Sequence, residues 1–84
     1  MKAIAEDNVL LADAVAELVE NLHLKYPGIR TKPTSQIEDE DFTIEVEVPL
    51  SFSLEEVETG CHAECIRLED KYDVYILPLV MQKK

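Results

Sequence analysis

Apolar side chains recur at helical spacing between Asn8 and Lys25. At about 100° per residue, Leu11, Val15, Leu18 and Leu22 fall within roughly 40° of one line. Ala14 and Val19 widen the stripe, and Asp13, Glu17 and Glu20 lie opposite it. Asp7-Asn8 offers an N-cap whose side chain can accept an orphan backbone N–H. Pro27-Gly28 stops the helix. Ile4 is in phase with the stripe, so the helix could begin earlier; alternatively Lys2–Ala5 is a short extra strand.

Beyond the turn the period changes. Ile29–Pro33 reads as a short strand closed by its proline, and Thr34–Asp41 as a polar loop. Phe42, Ile44, Val46 and Val48 alternate with Thr43, Glu45 and Glu47, the period-two pattern of a strand with one dry face. A second helix spans 53–71. Ser53 and Glu56 form a capping box. Leu54, Val57, Cys61, Cys65, Leu68 and Tyr72 keep within roughly 60° of one seam. Asp73–Met81 is then nearly all apolar, so both of its faces need cover. Pro78 has no N–H to donate, which places that strand at an edge or ends its pairing there.

The predicted fold is therefore an α+β two-layer sandwich of order αββαβ, with both helices on one face of the sheet. The middle strands form an antiparallel hairpin. A right-handed crossover through the second helix leaves the last strand parallel to Phe42–Val48. A strand at residues 2–5 would make the fold ferredoxin-like.

Size and charge narrow the function. Eighty-four residues make one domain, and a chain this short buries only about 60% of its unfolded surface, so oligomerisation is an economical source of stability. A net charge of −10 repels nucleic-acid backbones and anionic membranes. No window is apolar enough to span a bilayer. The first residues lack the layout of a signal peptide. That, with two cysteines, points to a reducing, cytoplasmic setting.

Cys61-His62-Ala63-Glu64-Cys65 is the most chemical segment. Thiolates and an imidazole suit zinc or copper(I). However, His62 points about 100° away from Cys61 on a helix, and both cysteines lie on the apolar seam, where free Cys packs as a small hydrophobe. Core packing is the first reading, metal binding the second and thiol chemistry the third. Gly60 interrupts the same helix, which suggests close approach of another group or a kink. Glu38, Asp39, Glu40 and Asp41, with Glu45 and Glu47, form an acidic patch whose oxygens suit a divalent cation. The patch lacks EF-hand spacing and reads first as a solvated loop. His23 near the end of the first helix suits the helix dipole. No catalytic triad, phosphate loop or HExxH is present, and no enzymatic activity is expected.

Tyr75, Leu77, Leu79 and Met81 share one face of the last strand, and Val74, Ile76 and Val80 the other. The second set is expected beneath the helices, the first against a second subunit.

Ser53-Leu54-Glu55-Glu56 opening a helix, then Ile66, Leu68-Glu69 and Val74-Tyr75-Ile76-Leu77-Pro78, resembles the end of the cytosolic domain of cation diffusion facilitators. Tyr26-Pro27-Gly28-Ile29 resembles that domain's helix-to-strand turn, and the likeness runs over most of residues 9–78. The resemblance implies a metallochaperone-like fold, dimerisation and divalent-metal binding through His and acidic residues. Glu58 stands where that family has a His, and Ile76 or Leu77 where it has another; the transmembrane part is missing. The resemblance thus bears on fold and dimerisation more than on metal. The leading expectation is a small acidic cytoplasmic homodimerising or protein-interaction module without catalysis. A divalent-metal regulatory or carrier domain comes second, using Cys61, His62 and Cys65 or the acidic patch. A thiol enzyme comes third.

Overall fold

The computed structural model describes residues 4–83, with side chains from residue 10. Its elements are α1 (Ile4–Lys25), β1 (Arg30–Thr34), β2 (Phe42–Val48), α2 (Leu54–Tyr72) and β3 (Ile76–Gln82). The order is the expected αββαβ. The sheet runs β1-β2-β3, with β1 antiparallel and β3 parallel to the central strand.

Most other boundaries agree with the sequence reading to within a residue, and the differences that bear on the fold are these. Ile4 and Ala5 are helical, in keeping with the phase of Ile4, so the extra strand does not form there; Lys2 and Ala3 lie outside the described residues. β1 runs through Pro33 to Thr34 instead of stopping, because an edge strand tolerates a missing donor. β3 starts at Ile76, not Asp73. Asp73 instead caps α2 in the left-handed conformation (φ 57°, ψ 45°), donating its N–H to Glu69 O. At the other end of α2 the Ser53 side chain accepts the Glu56 N–H, one half of the expected capping box; among the described residues the return bond from Ser53 N–H to the Glu56 carboxylate is not made.

Both helices pack on one sheet face. Ala14, Leu18 and Leu22 of α1 meet Val57, Cys61, Cys65 and Leu68 of α2 over Ile44, Val46, Val48 and Ile76 in one continuous core. Val74 belongs to that core and Val80 packs against it. Gly60 is buried because the Tyr26 ring lies against it. A Cβ built there would overlap the Tyr26 hydroxyl and sit 3.0 Å from Cζ. Tyr26 itself stands edge-on to Phe52, with centroids 5.6 Å apart and planes at 82°. Gly28 takes φ +95° in the turn into β1, a conformation that disfavours any side chain.

Outside the core, Glu17 clasps the helices together. Its carboxylate accepts from Arg67 (2.6 Å), Lys71 (2.9 Å) and the Tyr72 hydroxyl (2.8 Å). Those partners, led by Lys71, hold Glu17 down at about 2. Glu64 accepts from Asn21 of α1 and from Arg67, whose guanidinium also lowers its pKa.

Candidate interaction surface

The sheet face away from the helices is ordered by strand. Paired residues share a face, so the register places Arg30, Glu47 and Met81 in one row, Lys32, Glu45 and Leu79 in the next, and Thr34, Thr43 and Leu77 in the third. Read across, the face is basic on β1, acidic on β2 and apolar on β3. Leu77 and Leu79 are half-buried and Met81 is 42% exposed; none of the three packs against the core cluster. No ion pair within 4 Å engages Arg30, Lys32, Glu45 or Glu47 among the described residues.

Each edge of the sheet carries a proline, Pro33 on β1 and Pro78 on β3. Backbone groups of Tyr75 and Lys83 bond toward β2: Tyr75 O accepts the Asp41 N–H (2.8 Å), and Lys83 N donates to Val48 O (2.8 Å). Alternate residues of a strand turn their backbone groups to opposite sides, so Pro78 lies at an outward position. The free edge of β3 therefore lacks a donor at its middle.

The loop before β2 closes one end of this face. Glu40, read from the sequence as part of a solvated patch, is only 1% exposed. Its carboxylate accepts the N–H of Ile37 (2.7 Å) and Glu38 (2.8 Å) and the hydroxyl of Thr43. Those donors, Ile37 first, outweigh the cost of burial and hold it at about 2. Gln36 ties down the Glu40 carbonyl (2.7 Å). Glu38, Asp39 and Asp41 stay exposed, and Asp41 accepts the Tyr75 N–H at 2.8 Å. The four acidic residues thus point to different tasks.

The candidate soft-metal ligands also diverge. Cys61 and Cys65 are buried at 0% and 5% exposure while His62 is exposed. Burial is the main cause that pushes the thiols up to about 11 and about 12, so both are protonated at neutral pH, whereas metals bind thiolate. Among the described residues no group of three His, Cys, Asp or Glu side chains is gathered as a metal site. His23 in the last turn of α1 meets Thr31 Oγ1 at 3.2 Å.

The sequence reading missed the basic column on β1 and the inward turn of Glu40. The alternation of Arg30 and Lys32 with Thr31 carried a signal for the first. Glu40 followed by Thr43 carried none, since an isolated carboxylate in an acidic run gives no hint that it folds back.

No protein-family model, curated protein or solved structure matches the chain.

Proposed function

We propose that the chain is a small protein-interaction module that docks through the open face of its sheet. The observation that carries this is the column Leu77, Leu79 and Met81. It lies on a face without a helix, apart from the core, beside charges that have no ion-pair partner among the described residues. Exposed apolar surface rimmed by polar groups is the usual form of a docking site. Homodimerisation, expected from the sequence, is one use of such a surface.

The divergence of Cys61, His62 and Cys65, and the separate roles of Glu40 and Asp41, leave metal carriage with less support.

Replacing Leu79→Ser together with Met81→Ser tests the proposal. Side chains kept for docking, not for the fold, should shift the thermal midpoint by no more than ~4 °C, the effect of about 0.5 kcal/mol in a domain this size. A loss of ~2–5 kcal/mol, as for core truncation, would show that the fold itself uses the face and would exclude this role.

A further inference from the structure

Resting on that reading, we infer that the occupant of the open face is an amphipathic helix of a different protein, its apolar stripe flanked by Lys or Arg.

An extended peptide is the less suitable occupant. Strand addition needs a continuous row of backbone donors and acceptors along an edge, and both edges are interrupted, by Pro33 and by the outward Pro78. The face between the edges is uncovered except at Thr43, which is 0% exposed where Glu40 folds over it. Its two longer strands, β2 and β3, have seven residues each, or about 23 Å at ~3.3 Å per residue. A helix of about 15 residues covers that length, and centred on β3 its ~10 Å diameter reaches the acidic column of β2 but stops short of Arg30 and Lys32 on β1.

The columns fix how such a helix lies. Leu77, Leu79 and Met81 take its apolar stripe, and Glu45 and Glu47 on the neighbouring strand take cations one step around the helix. The exposed Glu38, Asp39 and Asp41 in the loop before β2, with the net charge of −10, add attraction for a cationic segment at longer range.

A second copy of this chain fits worse. Two-fold stacking centred on β2 lays Glu45 and Glu47 against the same carboxylates of the other copy, and stacking that lays β1 on β2, pairing Arg30 and Lys32 with Glu47 and Glu45, leaves the column Leu77, Leu79 and Met81 uncovered. Sliding the copies until only β3 overlaps leaves Leu77, Leu79 and Met81 meeting only the same three side chains of the other copy, with the acidic columns of both copies outside the contact.

The probe is a fluorescein-labelled Leu/Lys amphipathic peptide of about 15 residues, with a Leu/Glu peptide of the same pattern as control, titrated into the full chain by anisotropy. The Leu/Lys peptide should bind and the Leu/Glu peptide should not. The double reversal Glu45→Lys with Glu47→Lys should weaken binding at least ~10-fold, and Leu79→Ser about as much. Reversing Glu55→Lys with Glu58→Lys on α2 changes the net charge equally and should cost less than ~3-fold, because those carboxylates lie away from the face. Glu45→Gln with Glu47→Gln repeats the test should the reversed protein fail to fold. Equal losses from both reversals, or equal binding of both peptides, would overturn the inference. Self-association abolished by Leu79→Ser would also overturn it, by making a second copy the occupant, while leaving the docking face standing. Folded Leu79→Ser protein that binds and sediments like the parent would exclude both.

Discussion

Gly60→Ala should destabilise the protein, although alanine is the better helix former. In an exposed helix the change would gain about 1 kcal/mol. Here the new Cβ overlaps the Tyr26 hydroxyl and stands 3.0 Å and 3.3 Å from Cζ and Cε2. Tyr26 has little room to retreat. Its side chain is buried against Phe52, its N–H is bonded to Leu22 O (2.8 Å), and its carbonyl accepts from Ile29 (3.3 Å). Overpacking of this kind costs ~1–3 kcal/mol, which outweighs the helix gain across most of that range. The net loss of about 1 kcal/mol lowers the thermal midpoint by ~4–8 °C. Tyr26→Phe removes the overlapping oxygen and leaves the ring edge to give by a few tenths of an ångström. In that background the cost of Gly60→Ala should fall by about 1 kcal/mol, which appears as the coupling energy of a double-mutant cycle. The assay is chemical denaturation of the four proteins at neutral pH. If Gly60→Ala is stabilising in both backgrounds, or its effect is the same in both, the Tyr26 contact does not limit the site.

Acid should unfold the protein through two carboxylates. Glu17 and Glu40 sit at about 2 in the fold against an ordinary 4.5, so their stabilisation is complete above 4.5 and is lost as pH falls toward 2. Stability against pH should therefore decline in that window, and Glu17→Gln and Glu40→Gln should each flatten the decline; variants that track the parent would refute the assignment. Cys61 and Cys65, buried and protonated, should react with a thiol reagent at pH 8 far more slowly in the native protein than in denaturant, and equal rates would contradict their burial. Their raised pKa values also mean that stability falls as pH rises from about 9 toward 11, because the unfolded chain loses those protons first; the same decline in the Cys61→Ala, Cys65→Ala protein would show that other groups cause it.

Much of the fold was legible because its signals are local and periodic. The alternation at Phe42–Val48 and the Ser53 half of the capping box recur in the structure at the expected residues. The proline in the last strand marked it as an edge. Boundaries failed where a tertiary or capping role replaced the local preference. Asp73 looked like the start of a strand but caps a helix, and Pro33 looked like a stop but sits within an edge strand. Gly60 signalled that something approaches the helix, but only the fold identifies it as Tyr26. The layout of the open face was least legible. Its three columns come from two pairings whose registers depend on residues far apart in the chain. Apolar residues on the last strand announced an exposed face, while the acidic and basic columns beside it became visible only once the strands were aligned.

Methyl-selective NMR of the unmodified protein, titrated with the Leu/Lys peptide, tests the docking face most directly. Docking there predicts that the methyl signals of Leu77, Leu79 and Met81 shift together with saturation. Those of Leu11 and Val15, which line an apolar groove of about 410 Å³ with Phe42 beside α1, should stay in place. Shifts confined to Leu11 and Val15, with the β3 methyls unmoved, would contradict it.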